Sequence, residues 1–287
     1  MIPVPVAGLK LLYLMNSNQM FFRQSIKGCF FAILTVFFCL QGRTEVISFS
    51  PLETGFFLSS EPINTLYWRG QNSKALLLFI PGGNGTIGLK PETTDKPYSF
   101  YQTLKSLTNP QLTSGRFDVV LLDSPSQLIP VTLRGSKDHM VRIESAIRHY
   151  SNLTHLPVWI MGHSNGGISI SEFIKYLQSK NEMNLISGVI ASGIRNESFF
   201  NPPIAIPMLF LHHQNDGCKS TRPNDSFEKY KQVKSFTSSQ VEYVQISSGE
   251  AENRDPCNSG FHMYFNAGVE VSKAIDEYTS PFLSNLR

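Results

Sequence analysis

Internal repeats and low-complexity tracts are missing from this sequence, which excludes a solenoid or a linker-like protein. Charge is scarce. Only 16% of the residues are charged, and the formal net charge is +3. That excess comes from residues 1–42, where Lys10, Arg23 and Lys27 stand without an acidic residue. Setting those three aside from the 25 basic residues leaves 22, against 22 acidic ones. A balanced composition of this kind offers no footing for a nucleic-acid partner. Metal-ligating patterns are equally thin. Asp138-His139 and His212-His213 lack partners at ligand spacing, so no metal and no other cofactor is expected.

Cysteine is rare as well, with four in 287 residues. Cys29 and Cys39 fall in "FFRQSIKGCFFAILTVFFCLQGRTE", where Arg23 and Lys27 precede an apolar stretch from Cys29 to Leu40 and then Gln41-Gly42. This is the layout of a secretory signal. Its apolar part is shorter than the roughly 20 residues of a membrane span. The alternative is an uncleaved anchor, with residues 27–40 as a membrane tether. Residues 1–19 read as an extra leader ahead of Met20, and Phe37-Phe38-Cys39 lacks the small residues of a lipoprotein site. The expected organisation is therefore a leader over 1–42 and one domain over 43–287, secreted or periplasmic. Only Cys218 and Cys257 remain in that domain. In an oxidising compartment they suggest one disulfide, two free thiols being the alternative. Closing a loop of about 40 residues contributes roughly 4 kcal/mol on the chain-entropy model.

What the chain does contain is a regular series of apolar runs bounded by turn residues. "VISFSP" and "TGFFLSS" (46–60) with "NTLYWRG" (64–70) read as antiparallel opening strands. Buried strands are expected in the runs 74–85, 117–126 and 156–167, two more strands at 185–193 and 207–216, and a last strand at 241–249. Helices are expected at 98–107, 137–152, after Gly167, at 226–236 and at 264–283. Strands alternating with helices imply an α/β fold: a mostly parallel central sheet with helices on both faces. Reactive groups in such sheets gather beyond the carboxyl ends of the strands. Four polar groups follow strands there: "PGGNG" (81–85), Ser164, Asp216 and His262.

Ser164 sits in "VWIMGHSNGG", with Gly162 and Gly166 on either side. The Gly-x-Ser-x-Gly spacing after a strand and before a helix is the nucleophile-elbow pattern, which exposes a serine hydroxyl on a tight turn. A serine needs an adjacent base, and a histidine serves best when a carboxylate fixes its tautomer. Of seven histidines, only His262 lies between the last strand and the final helix. His163 is expected to point away from the serine as a structural residue. His212 and His213 end a strand, where they line the site or satisfy local hydrogen bonds, while His139, His149 and His155 fit surface or helix positions. Asp216, beside the turn residue Gly217, is the favoured acid over Asp225, Glu252 and Asp255, and Asp123 reads as a loop anchor. A Cys218–Cys257 bond would tie the acid and histidine loops together. The oxyanion of an attacked acyl group needs preorganised N–H donors. Asn165 supplies one, and Gly83, or next Asn84, the other. "PGGNG" lacks the Lys-Ser/Thr of a phosphate-binding P-loop and the third glycine of a dinucleotide fingerprint.

With "GHSNGG" as elbow, "IPGGNG" as oxyanion loop and the order Ser164, Asp216, His262, the chain resembles the α/β-hydrolase superfamily over about residues 46–285. The resemblance implies hydrolysis of a carboxylic ester or related acyl bond through an acyl-enzyme, on a small-molecule or lipid-like acyl substrate. Acyl transfer on the same triad, and a non-catalytic binding module of the same fold, are the alternatives. Two departures stand out. Pro81 occupies the place where many esterases and lipases carry histidine. Residues 194–206 leave no room for the substrate-covering cap of many relatives. The segment 84–116 could shield the site instead, with Tyr98, Phe100 and Tyr101 lining a pocket or packing on the sheet. Asn-x-Ser/Thr sequons occur at Asn84, Asn152, Asn196 and Asn224; a glycan at Asn84 would obstruct the oxyanion loop.

Overall fold

A computed structural model describes residues 44–55, 58–90 and 104–284. The leader, most of the helix expected at 98–107, and Tyr98, Phe100 and Tyr101 lie outside the described residues. Eight strands form one sheet: β1 (Thr44–Phe49), β2 (Ile63–Trp68), β3 (Ala75–Ile80), β4 (Phe117–Leu122), β5 (Val158–His163), β6 (Gly188–Ser192), β7 (Met208–His213) and β8 (Val241–Ile246). Their spatial order is β1-β2-β4-β3-β5-β6-β7-β8. β2 runs antiparallel to both β1 and β4, and every other pairing is parallel.

The parallel strands are apolar on both faces because helices cover both faces. Side chains alternate across a strand, so Leu76, Leu78 and Ile80 join one core, whereas Leu77 and Phe79 join the other. The first core is closed by α1 (Lys137–Thr154), α2 (Gly166–Lys180) and α3 (Pro223–Phe236). The second is closed by α4 (Gly268–Leu283) and by Leu104 and Leu107. β8, at the sheet edge, is buried only at its two ends.

Local signals set the helix limits. Ser136 caps α1 by accepting from the backbone of His139, Asp138 stands in the first turn, and His155 ends the helix at φ 56°. An acceptor side chain and a negative charge both suit the exposed N–H groups there. α3 begins at Pro223, where a missing N–H costs nothing.

One expectation fails. Among the described residues, 51–60 form no strand beyond a single Gly55–Leu58 bridge. Two backbone donors there go to α1: Leu52 N–H to Ser145 Oγ and Ser59 N–H to Asp138 Oδ1. Donors spent on a helix cannot extend a ladder.

Candidate active site

β5 runs straight into α2, and the two residues between them are Ser164 and Asn165. Ser164 has φ 55°, a left-handed conformation that costs a non-glycine residue roughly 1–2 kcal/mol. Hydrogen bonds hold it there. Its N–H donates to Ser192 O at 3.1 Å, and its carbonyl accepts from Gly167 N–H at 2.9 Å. The flanking glycines answer to space: a Cβ on Gly162 would lie 2.3 Å from Gly166 O, and one on Gly166 2.2 Å from Ile80 O. The turn leaves the serine half-buried at the carboxyl edge of the sheet.

Asp216 and His262 meet on that same edge. His262 Nδ1 donates to Asp216 Oδ2 at 2.8 Å, and both side chains are buried. Three more donors converge on the carboxylate. His212 Nε2 reaches Oδ2 at 3.0 Å, Thr221 Oγ1 reaches Oδ2 at 3.0 Å, and Cys218 N–H reaches Oδ1 at 2.8 Å. Burial alone would raise the Asp216 pKa, but the hydrogen bonds from His212 and His262 outweigh it and hold the carboxyl far below the usual carboxylate range. Nε2 of His262 is buried and makes no hydrogen bond among the described residues. The His262 ring lies 4.8 Å, centroid to centroid, from the ring of His163, the residue before Ser164.

The loop Pro81–Gly85 flanks the serine. A Cβ on Gly82 would fall 2.8 Å from Ser164 Cβ, so only glycine lets the loop come this close. Gly83 has φ 55°, and its carbonyl accepts from Asn165 Nδ2 at 2.6 Å. That contact joins the segments carrying the Gly83, Asn84 and Asn165 N–H groups.

No protein-family model and no curated protein matches the sequence. Solved structures do. A lid-less α/β serine hydrolase from Xanthomonas campestris aligns at TM-score 0.53 and 9% identity, over 83% of this chain and 95% of that one. The dienelactone hydrolase of Anabaena variabilis aligns at 0.53 and 14%, over 84% and 98%. A hyperthermophilic esterase from Pyrobaculum calidifontis aligns at 0.56 and 14%, over 84% and 86%. The chain has the α/β-hydrolase fold.

On this α/β-hydrolase fold, Ser164 follows β5, Asp216 follows β7 and His262 follows β8. The stretch between β6 and β7 forms no helix or strand and buries Ile194, Phe200 and Ile204. The other carboxylates are engaged elsewhere. Asp225 accepts from Arg222 Nε, Glu252 from Gly260 N–H and Asp255 from Cys257 N–H. Asp123 anchors the loop after β3 by accepting from the N–H groups of Ile87, Gly88 and Leu89. His163 is held by Ser192 Oγ at 3.2 Å, and burial pushes its pKa down so that it stays neutral. His213 bonds Ser248 O and stacks on Phe261. His139 is on a helix, as expected, but on its buried side: burial, with Arg134 and Arg142 nearby, lowers its pKa to about 3. Sequence reasoning left His212 open, and it turns out to share the acid. It missed Arg134 altogether, which lies fully buried against the carbonyls of Pro81, Gly82 and Gly83.

Cys218 and Cys257 form a disulfide across a separation of 39 residues. It clamps the loop that donates to Asp216 onto the loop that leads to His262. Reduction, or Cys257→Ser, is expected to lower stability by roughly 3–4 kcal/mol, measured by urea unfolding with and without reductant. The depressed Asp216 pKa has its own signature. Its stability is fully present above the unfolded value of 3.8 and drains as pH falls toward the folded value. Thermal unfolding between about pH 5 and about pH 2 should therefore fall more steeply for the native protein than for Asp216→Asn, which has no such proton to take up.

Proposed function

We propose that this chain is an exported serine hydrolase that cleaves an ester or related acyl bond of a small-molecule or lipid-like substrate. Ser164 Oγ attacks the acyl carbonyl while its proton passes to Nε2 of His262, and Asp216 stabilises the imidazolium. N–H groups of Asn165 and of the Gly83–Asn84 segment receive the oxyanion. Collapse of the tetrahedral adduct breaks the bond to the leaving group, which takes the proton from His262. Water then repeats the sequence on the acyl-enzyme and releases the acid.

The observation that carries the reading is the state of His262. Its Nδ1 is committed to Asp216, and its Nε2 is buried with no hydrogen-bond partner among the described residues. An unsatisfied buried polar atom is costly and calls for a reason; a serine proton to accept is a sufficient one. Ser164, the residue after the His163 ring that packs on His262, stands half-buried in a strained turn. The solved neighbours include esterases and a dienelactone hydrolase, in keeping with acyl-bond hydrolysis. Support for export comes from the layout of residues 21–45 and from a disulfide that suits an oxidising compartment.

The test is a fluorophosphonate probe followed by peptide mapping, beside hydrolysis of p-nitrophenyl acetate. A probe adduct on the Ser164 peptide together with turnover is the expected result. A folded protein showing neither overturns the reading and leaves a binding module of the same fold. Added alcohol acceptors then separate hydrolysis from acyl transfer.

A further inference from the structure

Arg134 belongs to no motif and lies in a short 3-10 turn, Val131–Gly135, ahead of α1. Its side chain is fully buried, and its guanidinium holds three successive carbonyls of the oxyanion loop. Nη1 donates to Pro81 O at 2.8 Å, and Nη2 to Gly82 O at 3.1 Å and Gly83 O at 3.2 Å. Nη1 also donates to Ser169 Oγ at 3.1 Å, on the second turn of the helix that begins beside Ser164. The next two carbonyls are drawn to the same side: Asn84 O accepts from Leu128 N–H at 2.8 Å and Gly85 O from Ser124 N–H at 3.2 Å. All five carbonyls from Pro81 to Gly85 thus accept from the segment 124–134, and Gly83 O is shared between Arg134 Nη2 at 3.2 Å and Asn165 Nδ2 at 2.6 Å.

A trans peptide is planar, with its N–H directed opposite its C=O, and the peptides of this loop are trans. Pinning Gly82 O and Gly83 O on Arg134 therefore points the N–H groups of Gly83 and Asn84 away from it. We infer that Arg134 is the positioning residue of the oxyanion hole: it orients the Gly83 and Asn84 peptides, ties them to the nucleophile helix through Ser169, and polarises their N–H groups with its charge. The inference rests on the hydrolase reading above. Its physical basis is that a donor preorganised toward developing charge does no reorganising when the charge appears. A guanidinium behind the carbonyls strengthens those donors further, because charge-assisted hydrogen bonds polarise the peptides that accept them.

Ser169 completes the arrangement. Its Oγ accepts from Arg134, which leaves its own hydrogen for Nε2 of His139 at 2.9 Å. His139 is kept neutral by burial and by the charge of Arg134, so it can serve as that acceptor.

The test uses Arg134→Met and Arg134→Lys beside the native chain, with a p-nitrophenyl ester and phenylboronic acid, which becomes a tetrahedral anion on an active serine. For Arg134→Met, kcat should fall about 100-fold while KM changes less than about threefold, and boronate affinity should fall in parallel with kcat. Arg134→Lys keeps a cation and some of the donors, and should recover part of both losses. A merely structural role predicts lower thermal stability with kcat and boronate affinity within about threefold of native; that result in a folded variant overturns the inference. Should the methionine variant not fold, the lysine variant carries the test, with the same split at smaller amplitude. A native chain that neither turns over ester nor binds boronate sinks the hydrolase reading instead, and the two failures are told apart by the native control.

Discussion

Ser164→Ala is expected to lower kcat/KM for an acyl ester by about 10⁴-fold or more, with the remaining rate set by the oxyanion donors and binding alone. The variant should fold as the native chain does, because an alanine at φ 55° bears much the same backbone strain as a serine. Ser164→Gly separates chemistry from fold more sharply. It is equally inactive, yet glycine occupies the left-handed region freely, so thermal unfolding should show it more stable by about 1 kcal/mol. Burst titration with p-nitrophenyl acetate gives the first result and calorimetry the second. An alanine variant that keeps more than about a hundredth of native turnover would place the nucleophile elsewhere.

Asp216→Asn is expected to cost about 10³–10⁴ in kcat with little change in KM. The reason lies in how many donors the carboxylate serves. Oδ2 accepts from His262, His212 and Thr221, and Oδ1 accepts from Cys218 N–H. An amide has one acceptor end. If its oxygen stays with Cys218 N–H, its NH₂ faces two imidazole donors, and His262 must switch tautomer to accept on Nδ1. That moves the ring hydrogen to Nε2, where the proton of Ser164 would have to go. If the amide turns over, its NH₂ meets Cys218 N–H instead, and the loop bearing the disulfide is displaced. Asp216→Glu, which keeps the charge, should recover only part of the rate, since the longer side chain cannot meet all four donors from the same backbone position. Steady-state kinetics on the three proteins decide the matter, and an asparagine variant within about tenfold of native removes Asp216 from the proposed triad.

The parts of this molecule that could be read in advance are those whose cause is local. Continuous apolar runs announced β3, β4, β5, β6 and β7, because a strand covered on both faces needs no polar side. Glycines around Ser164 announced the turn, since neighbouring atoms leave no space for a Cβ. Chain order, through the resemblance it supported, placed Asp216 and His262 after their strands, and the structure brings those two side chains into contact. Contacts to backbone carbonyls were not legible. Every residue owns a carbonyl, so an arginine that grips Pro81, Gly82 and Gly83 from about 50 positions away leaves no pattern. The stretch 51–60 misled for a related reason: two of its donors are taken by side chains on α1, and strand-like composition does not reveal that competition.

The two histidines closing β7 guard its register. Met208 to Leu211 are buried on both faces of the sheet, so hydropathy alone would tolerate the strand shifted by one residue. Such a shift exchanges the faces of every side chain. His212 would lose Asp216, and His213 would lose Ser248 and Phe261. A single-residue deletion among Met208 to Leu211 would thus leave an apolar ribbon that still pairs with β6 and β8 but puts His213 where His212 stood.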